Sequence, residues 1–141
     1  MFLISFVIAL FLMEVFARLL HEYIWHGPLW FIHRSHHEER KGFFEANDIF
    51  AVFYGLLSMS MIVYGSEYGV PLCLGGGLAI AVFGIAYLLV HDGYIHERLP
   101  MSFLGRFSLF RKLKAAHILH HRKNHAPYGL FWAPKPSKKE L

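Results

Sequence analysis

Apolar residues form three long runs, at about residues 2–20, 49–64 and 70–90, separated by polar segments. A helix needs about 20 apolar residues to cross a bilayer, so each run predicts a membrane-spanning helix. The segment 99–110 is apolar but shorter and contains a proline and a glycine, which favours an interfacial or re-entrant piece. The end of the chain, residues 134–141, has the composition of a mobile tail.

The overall composition agrees with this pattern. Of 141 residues, 55% are hydrophobic and 17% are charged, with a mean hydropathy of +0.37. This predicts an all-α, multi-pass membrane helical bundle that forms a single domain over residues 1–141. The first run has no basic start and no clean cleavage site for a signal peptide, so we expect it to remain as a span. Within it, Glu14 and Arg18 stand four apart in the favourable order for a helical ion pair.

Basic residues are distributed on one side of the predicted spans. All 14 lysines and arginines lie at Arg18 or later, and the link between the second and third spans, residues 65–69, contains none. By the positive-inside rule, the N-terminus faces outward and the polar segments after spans one and three face the cytoplasm.

Histidines repeat one pattern twice along the chain. "HEYIWH" is followed by "HRSHH", and later "HDGYIH" is followed by "HILHH". Because two spans separate the repeats, the chain returns to the same membrane face, and the four motifs meet at its cytoplasmic edge. One histidine alone is more often an interfacial residue than a ligand, but ten of eleven in a repeated pattern predict a metal site. The predicted metal-binding residues are His21, His26, His33, His36, His37, His91, His96, His117, His120 and His121.

The spacing suits some of these ligands better than others. His33, His36 and His37 share one face of a helix, and the second H-x2-H-H motif repeats that arrangement. Two histidines five residues apart differ by about 140° on an α-helix. Either the helix distorts at the H-x4-H motifs, or the two rings of each motif bind different metals.

The number of histidines points to two metal ions, since one zinc takes about four ligands. Imidazole suits iron, zinc, copper and nickel, and the Glu-x-x-His motifs of soluble di-iron bundles are missing. Polar residues beside the motifs are candidates to orient the ligand rings, although Asn47 and Asp48 also stand where a helix cap is expected. These candidates are Glu22, Glu45, Asn47, Asp48 and Asp92.

Small residues cluster in the third run, at Gly75–Gly77, Ala79, Ala81 and Gly84. Close helix packing is the ordinary explanation for such a cluster. A groove for a rigid polyene is the alternative.

Four stretches cover nearly the whole chain and read "MEVFARLLHEYIWHG", "HRSHHEERKGFFEANDIFAVF", "HDGYIHERLP" and "AHILHHRKNHAPYGLFWAP". They resemble the bacterial-type β-carotene 3-hydroxylases of the membrane fatty acid hydroxylase/sterol desaturase superfamily. The histidine pattern is shared across the superfamily, whereas the "HHE…G.FE.ND" and "HDG..H.R.P" contexts point to the carotene branch.

The resemblance implies a non-haem di-iron monooxygenase in the bacterial inner membrane. Two iron ions, replaceable by zinc in purified protein, would use O2 to hydroxylate carbon 3 of β-ionone rings, converting β-carotene to β-cryptoxanthin and then zeaxanthin. Two electrons must come from an external donor such as reduced ferredoxin, because the chain has neither a G-x-G-x-x-G fingerprint nor the cysteines of an iron–sulfur cluster. The expected partners are carotenoid, membrane lipid and this donor, with no nucleic acid.

Two other classes of function remain open at this point. One is a related enzyme, namely a fatty-acid or sterol hydroxylase or desaturase, or a carotenoid ketolase. The other is a histidine-rich metal carrier, although transporters place their ligands near the bilayer midplane rather than at one edge.

Overall fold

The computed structural model describes residues 1–124 and 126–132, and all regular structure within these ranges is helical. His125 and the predicted tail 134–141 lie outside the described residues. Five α-helices follow one another along the described part of the chain. They are α1 (Phe2–Leu19), α2 (Trp30–His37), α3 (Asp48–Glu67), α4 (Pro71–Tyr87) and α5 (Ser108–Lys123).

Among the described residues, three continuous helices are long and apolar enough to cross a membrane. They are Phe2–Trp25, Asp48–Glu67 and Pro71–Ile95. The first and third extend beyond the predicted runs, because α1 and α4 each continue into a π-helical segment, Leu20–Trp25 and Leu88–Ile95. The predicted all-α membrane bundle is therefore confirmed.

Helix α4 packs between α1 and α3, and glycines let the backbones approach closely. A Cβ atom at Gly75 would lie 2.8 Å from the backbone nitrogen of Phe6 in α1. A Cβ atom at Gly77 would lie 2.9 Å from the backbone nitrogen of Ile62 in α3. Close packing thus explains the first part of the small-residue cluster.

The remaining elements gather at one end of the three long helices. The segment predicted to be interfacial or re-entrant forms a short 3₁₀ helix, Ser102–Arg106, and then enters α5. Residues 126–132 form an extended strap that contributes Leu130 to the core. The other buried members of that core are Val90, Tyr94, Ile95 and Leu113. This arrangement brings α2, α5, the two π-helical segments and the strap to one place.

Candidate metal centre

The histidines of the two repeats assemble into two neighbouring groups, each able to hold a metal ion. Group one consists of His21, His26, His33, His37 and His120. Group two consists of His36, His91, His96 and His117. The tenth, His121, lies between the two groups. Its ring centroid is 4.1 Å from that of His37 in group one, and 4.5 and 4.8 Å from those of His117 and His96 in group two.

Each group contains one histidine from the other half of the sequence. Each takes an H-x4-H pair and the first histidine of the H-x2-H-H motif from its own half of the chain. The middle histidine of each H-x2-H-H motif crosses over, so that His36 joins group two and His120 joins group one. By this symmetry His121 corresponds to His37, and its buried Nε2 has no hydrogen-bond partner among the described residues. The exchange links the two halves of the sequence through the site itself.

The two H-x4-H motifs lie on the π-helical segments, which resolves their awkward spacing. The backbone N–H of His26 donates to the carbonyl of His21 at 3.0 Å, and that of His96 donates to the carbonyl of His91 at 2.9 Å. These are the i to i+5 bonds of a π-helix, whose wider turn brings residues five apart onto one side. The helix therefore distorts, and each pair serves a single group rather than two.

Helix α2 divides its three histidines between the groups instead of offering them as one set. Residues three and four further along a helix lie about 60° and 40° to either side of the first. His36 and His37 consequently point to opposite sides of His33. The Nε2 atoms of His33 and His37 are 3.3 Å apart within group one, while His36 turns to His91.

Some ring nitrogens face each other although neither carries a proton to donate. The Nδ1 of His36 lies 3.0 Å from a carboxylate oxygen of Glu45, and the Nδ1 of His91 lies 2.6 Å from one of Asp92. A carboxylate only accepts, so each Nδ1 carries the proton and each Nε2 presents a lone pair. These two Nε2 atoms nevertheless lie 3.2 Å apart. Two facing lone pairs repel each other unless a cation lies between them.

Distances between the Nε2 atoms fit ligands of a common ion. Metal–nitrogen bonds of about 2.0–2.1 Å place neighbouring ligand atoms about 2.9 Å apart in octahedral and about 3.4 Å apart in tetrahedral coordination. In group one, the Nε2 of His21 is 3.0 Å from that of His33, and the Nε2 of His26 is 3.1 Å from that of His120. In group two, the Nε2 atoms of His96 and His117 are 3.0 Å apart.

Burial keeps these imidazoles neutral, the form that binds a metal. Removal from water lowers the pKa of His26, His33 and His96 to about 4, of His37 to about 3 and of His121 to about 2. Neighbouring histidines add to the lowering of the pKa in every case, and for His96 the positive charges of Arg98, Arg40 and Lys114 contribute more than His120 does. At neutral pH the rings are therefore available as ligands.

The polar residues expected beside the motifs fall into three situations. Three of them hydrogen-bond directly to a motif histidine. Glu45 contacts His36 and Asp92 contacts His91. The Oδ1 of Asn47 lies 2.7 Å from the Nδ1 of His33. Asp48 accepts from the backbone N–H of Glu45 at 3.0 Å and so supports that carboxylate indirectly. Glu22 pairs with Arg18 instead, at 3.9 Å. Asn47 occupies the cap position of α3, but its side chain makes no cap hydrogen bond there.

Arg98 connects the carboxylates around group two, a role that the sequence pattern did not indicate. Its guanidinium forms two hydrogen bonds with Asp48, at 2.8 and 2.7 Å, and lies 3.6 Å from Asp92. It also donates to the carbonyl of Phe43 at 2.7 Å. Burial raises the pKa of Glu45, and the Arg98 charge opposes that shift. The only sequence signal was a basic residue two positions after a motif histidine.

The strap, residues 126–132, supplies a second contact that sequence reasoning missed. The Nδ1 of His21 donates to the backbone carbonyl of Tyr128 at 2.8 Å. Glu14, inside the first span, accepts from the backbone N–H groups of Phe131 and Trp132, both at 2.9 Å. Glu14 thus fastens the strap to α1 rather than pairing with Arg18.

An apolar cavity of about 340 Å³ runs between α1, α3 and α4. Its walls include Phe16, Tyr54, Ala81, Gly84 and Leu88. One end of the cavity reaches Asn47, which contacts His33 of group one, and Asp92, which contacts His91 of group two. The later part of the small-residue cluster therefore borders open space, whereas the earlier part makes close helix contacts.

Comparison with known proteins gives a family match along most of the chain. The family model described as fatty acid hydroxylase matches residues 6–134. A protein of Gentiana lutea named beta-carotene 3-hydroxylase, chloroplastic, is 47% identical over 128 residues, which are 87% of this chain and 40% of that protein. The Arabidopsis thaliana beta-carotene 3-hydroxylase 1 is also 47% identical over 128 residues, and 41% of it is covered.

A bacterial relative is covered over most of its length. The beta-carotene hydroxylase of Pantoea ananas is 41% identical over 131 residues, which are 89% of this chain and 74% of that protein. The chain spans about two fifths of the plant relatives, 40% and 41% in the two cases above. No solved structure is significantly similar to the chain.

Proposed function

Because the chain belongs to the fatty acid hydroxylase family, we propose that it hydroxylates carbon 3 of β-ionone rings, converting β-carotene to β-cryptoxanthin and zeaxanthin. The names of the plant and bacterial relatives support carotenoid rings as the substrate class. The histidine groups support an oxidative, metal-dependent reaction. The proposed unit is the single domain of residues 1–141.

The observation that carries the proposal is the contact between the Nε2 lone pairs of His36 and His91 at 3.2 Å. Equivalent spacings recur within group one, so two cations fit the site. We assign iron to both positions, with zinc as a substitute in purified protein, because imidazole accepts either ion. The iron pair, once bound and reduced by two external electrons, supplies the O2 chemistry. The ten motif histidines are its proposed ligands, with His121 completing group two.

The protein's own residues orient and shield this centre. Glu45, Asn47, Asp92 and the Tyr128 carbonyl each hold the outer nitrogen of one histidine and thereby fix its ring orientation. The apolar cavity accepts one end ring from the lipid phase, with its inner end beside Asn47 and Asp92. At about 340 Å³ it lies near the lower end of ligand cavities, about 300–1,000 Å³, so the polyene chain remains largely in the membrane.

The electron donor and the membrane orientation complete the proposal. We place the chain in the bacterial inner membrane with its N-terminus outside and the metal centre at the cytoplasmic face. The basic residues after the third span, such as Arg111 and Lys112, support docking of an acidic donor there, and reduced ferredoxin is the proposed donor.

Expression in a bacterium that accumulates β-carotene tests this function directly. We expect pigment chromatography to show β-cryptoxanthin and then zeaxanthin, and the His36→Ala variant at equal membrane level to leave β-carotene unchanged. Ketolated rings would indicate a ketolase, and altered lipids with unchanged carotene would indicate a fatty-acid or sterol enzyme. Metal binding without any oxygen-dependent product would favour the carrier.

Elemental analysis of the active, purified protein tests the metal assignment separately. Two ions per chain are expected, and iron must be among them when the protein turns over. One ion per fully active chain would contradict a di-metal centre, whatever the identity of the substrate.

A further inference from the structure

The two histidine groups differ in the chemistry of the groups behind their ligands. In group one, the outer nitrogens of His21 and His33 face neutral oxygens, the Tyr128 carbonyl and the Asn47 amide. In group two, the outer nitrogens of His36 and His91 face the carboxylates of Glu45 and Asp92. The repeated histidine pattern is symmetrical, but its hydrogen-bond surroundings are not.

Charge accumulates on the same side. Glu45, Asp48 and Asp92 form one cluster in which Arg98 is the cation in direct contact with Asp48 and Asp92. Arg40 is a second cation close enough to act on Glu45, and Lys114 is paired with Glu97. Three carboxylates against these two guanidiniums still leave net negative charge beside group two. Arg98 itself has a side chain only 8% exposed, so this charge lies away from bulk water and is screened less than a surface pair. Two other acidic residues near the motifs point elsewhere, since Glu22 pairs with Arg18 and Glu38 with Arg34.

An imidazole that donates its outer N–H to a carboxylate becomes a more basic ligand. It binds a cation more strongly and favours the higher charge state of that cation. Nearby negative charge acts in the same direction. A carbonyl or amide oxygen orients the ring without comparable electron donation.

We propose that the two metal positions are unequal, with Glu45 and Asp92 making group two the tighter-binding and more easily oxidised position. This inference rests on the proposed two-metal site and adds a division of roles within it. Group one, in which neutral oxygens hold the outer nitrogens of His21 and His33, has the more weakly bound ion and retains the reduced state longer.

Release of zinc from the purified, fully loaded chain to an excess of chelator measures the difference without any redox chemistry. Two phases of one ion each are expected. Asp92→Asn keeps the shape of the side chain but removes its charge, and it should speed the slow phase by about 10- to 100-fold while leaving the fast phase unchanged. The double variant Glu45→Gln with Asp92→Asn should bring the two phases together.

Two further variants keep the test decisive. Asn47→Asp places a carboxylate behind His33, so it should slow the fast phase only. Glu38→Gln is the matched control, because Glu38 adjoins His37 but its carboxylate pairs with Arg34 at 2.9 Å, and both phases should be unchanged. For the iron-loaded chain, Mössbauer spectra during one-electron oxidation should show one of the two sites oxidised first, and the double variant should lose that preference.

The outcomes separate this inference from the function on which it rests. A chain that binds a single ion overturns both. Two ions whose release is unchanged in Asp92→Asn and in Asn47→Asp overturn the inequality alone, as does acceleration of the fast phase by Asp92→Asn.

Discussion

Individual histidines in this site are defined by what holds their outer nitrogen. Where Nδ1 donates to an oxygen, as in His21, His36 and His91, the proton position is fixed and Nε2 must face inward as an acceptor. The proposed chemistry at the centre would therefore depend on these surrounding oxygens as much as on the rings. The same function, holding the outer nitrogen of one histidine, is performed by the side chains of Glu45 and Asp92 and by the carbonyl of Tyr128.

Loss of one ring should abolish activity even where its helical spacing looked unfavourable. We expect His37→Ala, His121→Ala and His96→Ala each to reduce zeaxanthin formation by more than about 100-fold, because each leaves a coordination position open. Pigment analysis at matched membrane expression measures this effect. His125→Ala is the control, since that histidine falls outside both repeats and most activity should remain. Near-normal product from the His37 or His121 variant would refute the ligand set.

At the scale of elements, α4 uses its small residues for two different purposes along its length. Gly77 faces α3, with its carbonyl accepting from Ser58 Oγ at 2.8 Å. Gly84 lies two turns further on beside the cavity, and a Cβ atom there would meet nothing within 4 Å. Helix α4 thus packs closely against its neighbours in its first half and borders the cavity near the histidine groups in its second half.

Filling the cavity should impair substrate use without displacing metal. Gly84→Leu is expected to lower carotene hydroxylation at least about tenfold, because a few methylene groups change the fit of an apolar pocket by that amount, while two ions per chain are retained. Product rate and elemental analysis on one preparation measure both effects. Gly77→Leu should instead reduce the folded protein, since its Cβ would meet backbone 2.9 Å away. Leu72→Phe, on the exposed face of α4, should change neither. Full activity in Gly84→Leu would exclude this cavity as the ring site.

The whole molecule combines a lipid-facing half with a buried polar end. Side chains such as Leu3, Phe11 and Leu72 are 67%, 77% and 72% exposed, which suits contact with acyl chains. His33, His91 and His120 are, by contrast, almost completely buried at the other end. This arrangement would let the proposed apolar substrate enter from the membrane while the proposed electron donor approaches from water.

Reporter fusions test the proposed orientation of this assembly. Alkaline phosphatase, which is active only outside the cytoplasm, should be active when fused after Gly69, in the link between the second and third spans. It should be inactive after residue 141, where a fluorescent fusion should instead be bright, because the basic residues retain that side in the cytoplasm. The opposite pattern would reverse the topology and remove the metal centre from a cytoplasmic donor.

Sequence alone predicted those features that depend on short-range pattern. The three spans follow from runs of apolar residues, and the histidine set follows from its own repetition. The contact of His21 with the carbonyl of Tyr128 was not predictable, because a backbone oxygen 107 residues away has no side-chain signature. Arg98 was missed for a related reason, since its partners Asp48 and Asp92 come together only after the chain has folded. Glu14 and Arg18 had the spacing of a pair, but the strap competes for the carboxylate.

The π-helical segments have a consequence for insertions and deletions. Histidines four residues apart would share one face of an α-helix, and each H-x4-H motif has one residue more than that spacing. The π-helical segment accommodates the added residue by a local widening of the helix. Deleting Tyr23 would keep His21 and His26 on one side of a regular helix, four residues apart. It would also turn everything before the motif by about 100° and shift it by about 1.5 Å, carrying Glu14 away from the strap and Phe16 away from the cavity. The added residue therefore sets the rotation of the membrane helix relative to the histidines of the motif.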